Sequence, residues 1–126
     1  MNYDALRECK LFLLDMDGTL YLGDEVFDGA VGFIDTLSRT GRRYIYLTNN
    51  SSRAGEDYIA RLRRLGFPCE RENVFTSGMA TGMYLQKHYP RERVYVLGTP
   101  AFERELESYG VTLTREDDAT VVCAGF

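Results

Sequence analysis

An α/β fold built on a mostly parallel sheet is predicted by three features of the sequence. Short apolar runs alternate with stretches of helical spacing, the pattern of strands joined by crossover helices. The first run, Leu11-Phe12-Leu13-Leu14, has no polar alternation and stops at Asp15, as a strand covered on both faces would. Gly41, Gly66 and Gly110 each follow an amphipathic stretch, where the left-handed residue that closes a helix belongs.

The elements follow in order. Leu20 to Val26, with Gly23-Asp24 in its middle, predicts a small hairpin. Ala30, Phe33, Ile34 and Leu37 predict a helix ended at Gly41, and Tyr44 to Leu47 a second strand stopping at Thr48. After Asn49-Asn50, Ser51 or Ser52 is expected to cap a helix with the apolar face Tyr58, Ile59, Leu62 and Leu65. Glu56 and Asp57 early, and Arg61, Arg63 and Arg64 late, complement the dipole of that helix. Val74-Phe75 reads as a short strand, Thr76 and Ser77 as caps, and Met79 to Tyr89 as a helix stopped by Pro90. Val94 to Leu97 is a further strand, and Thr99-Pro100 starts a helix over Ala101 to Tyr109. Val111 to Leu113 and Thr120 to Ala124 are the last strands, with the acidic loop Glu116-Asp117-Asp118 between them. A parallel strand at the end of the chain has no helix after it to cover it, so the unpaired edge predicts pairing with a second copy.

Composition narrows the function classes. At 126 residues the chain has no room for two domains of ordinary size, and 44% hydrophobic content supports a packed core. A net charge of −4 argues against nucleic acid or an anionic membrane as partner. No apolar stretch approaches the ~20 residues that span a bilayer, so a cytoplasmic location is expected. Cys9, Cys69 and Cys123 form neither a CxxC pair nor an even set and read as reduced structural thiols. Tyr44, Tyr46, Phe75 and Tyr95 read as core, and His88 as a solvated helix end.

In open α/β sheets, ligands bind beyond the carboxyl ends of the strands, where Asp15 and Thr48 stand. Asp15-Met16-Asp17-Gly18-Thr19 puts two carboxylates two positions apart, and they converge only if the backbone turns after Asp15, which Gly18 permits. Like charges at one mouth raise the proton affinity of one group and attract a divalent cation. One aspartate can then act as nucleophile while the other serves as acid and base, a division of labour that suits phosphoryl transfer. The Thr48 hydroxyl, the Asn49 amide and a helix N-terminus supply donors for phosphate oxygens.

Asp15-Met16-Asp17-Gly18-Thr19-Leu20 resembles motif I of the haloacid dehalogenase superfamily, and Thr48-Asn49-Asn50-Ser51-Ser52-Arg53 resembles motif II of its NagD-like and p-nitrophenyl phosphatase branch. Val74 to Thr81 and Val94 to Gly98 are also similar to that branch, so the resemblance spans nearly the whole chain. It implies a Rossmann-like core over residues 1–77 and the start of an α/β cap over 78–126. It also implies an Mg²⁺-dependent phosphatase of a small phosphorylated metabolite. In that scheme Asp15 attacks phosphorus to give an aspartyl-phosphate, while Asp17 protonates the leaving group and then activates water. Asp15 and Asp17, the latter through its backbone carbonyl, hold Mg²⁺, and Thr48 and Asn49 hold the phosphate.

The family also uses a later lysine on the phosphate and later metal aspartates, which this chain does not supply, so it is expected to match the N-terminal part of a member and to turn over slowly. Lys10 precedes the first strand, Lys87 ends a helix, and Asp117-Asp118 precedes its strand, so none is a replacement. Two alternatives stand beside this reading. One is a non-catalytic chain that binds Mg²⁺ or phosphate or self-associates. The other, a receiver-type signalling domain, requires an aspartate after the third strand, where Thr76-Ser77 stand.

Overall fold

Residues 3–126 are described by a computed structural model. A short helix α1 (Tyr3–Arg7) precedes β1 (Leu11–Asp15), the hairpin β2 (Tyr21–Leu22) and β3 (Glu25–Val26), α2 (Ala30–Arg39), β4 (Arg43–Thr48) and α3 (Gly55–Arg64). A 3₁₀ turn (Arg71–Asn73) leads into β5 (Val74–Thr76), α4 (Ser77–His88), β6 (Arg93–Gly98), α5 (Pro100–Ser108), β7 (Thr112–Leu113) and β8 (Val121–Gly125). The chain forms two units: the described residues up to Leu47 with Ile59–Val74, and Thr48–Tyr58 with Phe75–Phe126.

In the first unit β1 and β4 pair in parallel, from Leu11 opposite Arg43 to Asp15 opposite Leu47. β5 is third in the sheet order β1-β4-β5. Alternation along β4 turns Tyr44 and Tyr46 inward, and both hydroxyls donate to the Pro68 carbonyl, at 3.3 and 2.9 Å. The Phe67 ring lies 6.2 Å from Tyr46 and 6.3 Å from Tyr21, so an aromatic cluster fills this core. α2 buries Ile34 and Leu37 and closes at Gly41 (φ +70), with the Arg42 N–H donating to the Leu37 carbonyl.

β1 is not covered on both faces as its composition predicts. It stands at the edge of its sheet, and Leu13 is 59% exposed. An unbroken apolar run reads the same whether or not its second cover lies within the described residues. The start of α3 also differs. Asn50 Oδ1 accepts the Ser52 N–H at 2.8 Å, an Asx turn that delays the helix to Gly55. Ser51 instead donates to the Phe126 carbonyl, and the Ala54 N–H is taken by Asp57 Oδ2 at 3.0 Å.

In the second unit β6 runs between β7 and β8, parallel to both. Leu85, Val94, Val96, Phe102, Leu106 and Val111 form its core. Thr76 and Thr99 cap α4 and α5, accepting the N–H of Met79 and of Phe102 at 3.0 and 3.2 Å. The Phe102 ring occupies a slot that only glycine leaves open: a Cβ on Gly98 would stand 2.7 Å from the ring, and one on Gly125 2.8 Å. β8 is an edge strand with Val122 68% exposed. Phe75, expected in the core, is 38% exposed, because only Val74 and Thr76 on that short strand point inward. All three cysteines are free, but Cys9 is exposed rather than packed. Among the described residues, no helix is long and apolar enough to cross a membrane.

Candidate active site

β1 delivers Asp15 as its last residue, and the next side chain, Met16, is fully buried. The chain turns directly after it. The Met16 carbonyl accepts N–H groups from both Thr19 and Leu20, at 3.1 and 2.9 Å, and Gly18 (φ +80) donates its own to the Tyr21 carbonyl at 2.8 Å. Asp17 forms an isolated bridge with Tyr21. The turn inferred from Gly18 is therefore present, and both carboxylates lie exposed on either side of a buried methionine. The Thr19 hydroxyl donates to Asp15 Oδ2 at 3.3 Å, a contact that the residue spacing alone does not reveal.

The hairpin that follows is fastened to α3. The Arg61 guanidinium lies 5.1 Å over the Tyr21 ring, donates to the Gly23 carbonyl and pairs with Asp24 at 3.4 Å. In the sequence Arg61 reads only as a favourable charge late in a helix.

Thr48 and Asn49 open a loop of the second unit that is braced at nearly every residue. Thr48 Oγ1 accepts the Asn50 N–H at 3.1 Å, leaving its own proton to donate. The Asn49 carbonyl accepts from the Ser77 hydroxyl at 3.0 Å, and the Ser52 carbonyl from Thr99 at 2.9 Å. Buried Glu105 accepts the Gly55 N–H at 2.6 Å, placing a carboxylate at the N-terminus of α3. Nothing in the spacing of Glu105 marked it for that role. Between the two strands, the register sets Asp15 opposite Leu47, and Thr48 is the next residue of the chain.

Lys10 precedes β1, and its carbonyl accepts the Arg43 N–H at the amino ends of β1 and β4. Asp118 pairs with Arg93, which opens β6, and accepts from Thr114 at 2.7 Å. Among the described residues no group of three or more His, Cys, Asp or Glu could hold a metal. The exposed Asp15 carboxylate, with the backbone carbonyl of Asp17, is still an oxygen donor set that fits a hard cation such as Mg²⁺, which keeps several waters and needs only one or two carboxylates beside substrate phosphate.

This is an α/β protein that presents a pair of carboxylates where its first parallel strand ends. The chain belongs to the haloacid dehalogenase-like hydrolases, whose family model matches residues 12–112. It is 33% identical over 120 residues to an acid sugar phosphatase of Staphylococcus aureus (strain USA300), a match spanning 95% of this chain and 46% of the relative. Its structure is similar to that of a 4-nitrophenylphosphatase from Thermotoga maritima, with a TM-score of 0.90 and 38% identity over 96% of this chain and 46% of that one. A glycerol phosphate phosphatase from Mycobacterium tuberculosis, solved in complex with magnesium, gives a TM-score of 0.83 at 32% identity, over 95% of this chain and 37% of that one. The chain thus spans about half the length of the curated relatives it matches.

Proposed function

We propose that this chain carries the nucleophile-bearing part of an Mg²⁺-dependent phosphomonoester hydrolase, with residues 1–77 belonging to its core and 78–126 beginning its cap. The observation that carries the reading is the position of Asp15, at the carboxyl end of a parallel strand, on a turn that also exposes Asp17. The names of the acid sugar and glycerol phosphate relatives support a small phosphorylated sugar or polyol as substrate.

In this mechanism Asp15 attacks phosphorus, forming an oxygen–phosphorus bond as the bond to the alcohol breaks. Asp17 gives its proton to the departing alkoxide and later takes one from the water that hydrolyses the aspartyl-phosphate. The Thr48 hydroxyl and the Asn49 amide donate to phosphate oxygens, stabilising charge as it develops. Asp15 and Asp17 would hold Mg²⁺, which supplies electrostatic stabilisation of the transferring group. Lys10 supplies no further positive charge there. Lys10 lies at the other end of β1, about 16 Å away at the usual rise of a strand.

The test is p-nitrophenyl phosphate hydrolysis with and without Mg²⁺. Slow, metal-dependent turnover lost in Asp15→Asn supports the proposal, and turnover unchanged in that variant refutes it. A second reading, self-association through sheet edges, is favoured by exposed Leu13 on β1 and Val122 on β8.

A further inference from the structure

At the amino ends of β1 and β4, in the first unit, lies a cleft of about 480 Å³. Its lining includes Arg7, Lys10, Arg42 and Arg43, with Glu8 as the one acid. The chain as a whole carries −4, so this concentration of cations runs against the protein's own balance. Local structure holds it together. The Gly41 turn ends α2 and sends Arg42 across to donate to the Arg7 carbonyl, and the Arg43 N–H donates to the Lys10 carbonyl at 2.9 Å. Arg7 pairs with Asp4 at 3.4 Å, whereas the side chains of Lys10 and Arg43 have no ion pair among the described residues. Setting Glu8 and Asp4 against the four cations leaves a surplus of two positive charges.

Like charges lining one cleft repel, and a bound anion offsets that cost. Guanidinium forks match the geometry of phosphate oxygens, and an uncompensated charge of two favours a diphosphate over a monocarboxylate. The volume lies within the range of small-molecule sites. We propose that this cleft binds a diphosphate group, at a site separate from the Asp15 turn.

The experiment is calorimetric titration of the full chain with inorganic pyrophosphate in EDTA at low salt. The proposal requires saturable binding that weakens about tenfold or more in Lys10→Gln/Arg43→Gln, the effect of losing two charge-assisted hydrogen bonds. It also requires binding to be unchanged in Thr48→Val, which separates this cleft from the phosphate donors of the proposed active site. Cys9 lines the cleft and is the exposed cysteine of the three, so pyrophosphate should also slow its alkylation by iodoacetamide. Absence of both heat and protection, retention of binding in the double variant, or its loss in Thr48→Val would overturn the assignment. Titration with ADP distinguishes the source: tighter binding of ADP identifies a diphosphate ester and tighter binding of pyrophosphate the free ion, and both uphold the site.

Discussion

The hydroxyl of Thr19 donates to Oδ2 of Asp15 across 3.3 Å, within the turn that buries Met16. One carboxylate oxygen is thereby engaged, and in the proposed mechanism the other is left for attack. Because a hydrogen bond to a charged group contributes about 1.5–3 kcal/mol, Thr19→Val should lower kcat by roughly ten- to a hundredfold with little change in KM. Thr19→Ser should restore most of it. Steady-state kinetics on p-nitrophenyl phosphate checks this.

Asp17→Asn should divide the reaction unequally. Mg²⁺ binding is expected to persist, because a backbone carbonyl is the ligand implied at this position, while hydrolysis of the intermediate slows. Metal titration beside single-turnover kinetics reads both effects.

Packing around Phe102 gives a stability test. Phe102→Ala should destabilise by about 3–5 kcal/mol, and Gly98→Ala by about 1–3 kcal/mol as the new methyl meets the ring. Because a methyl on Gly98 would meet the Phe102 ring, which Phe102→Ala removes, urea denaturation of the double variant should show less than the sum of the two.

Burial pushes the Cys69 thiol up to about 11, an effect that the nearby Arg63 lowers and Glu70 raises. Tyr46 is also raised, chiefly by burial and then by Tyr44, Cys69 and Asp35. Both groups are neutral in folded and unfolded chains below their ordinary pKa values, so their contribution is intact there. As pH rises from about 9 toward 11 the unfolded thiol ionises first, and stability should fall. Thermal melts across that range should show the decline, and Cys69→Ala should reduce it.

Much of this was legible in the sequence. The glycine stops at 41, 66 and 110, the Thr99-Pro100 start and the Gly23 hairpin each follow from one residue's backbone chemistry, and each stands where expected. The acidic turn was legible for the same reason, since Gly18 dictates it. Features that depend on partners distant in the chain were not: Glu105 reaches Gly55 fifty residues away, and Arg61 reaches Gly23 and Asp24. The helix expected to begin near Ser51 starts at Gly55, because Asn50 has a competing use for its side chain. Exposure of β1 was also hidden, since an apolar run records what a strand can bury and not what covers it.

Edge exposure makes its own prediction. Sedimentation of the chain at increasing concentration should show dimers, and Val122→Lys on β8 should shift it toward monomer. A monomer at all concentrations would count against self-association.

In the proposed mechanism Asp15 carries the phosphoryl group. Asp17→Asn should accumulate that intermediate, and p-nitrophenyl phosphate, whose leaving group needs no proton, should still load it. Acid-quenched protein digested and mapped by mass spectrometry should show one phosphoryl group, labile to hydroxylamine, on the peptide containing Asp15. No adduct, or one on a hydroxyl side chain that resists hydroxylamine, would contradict the account.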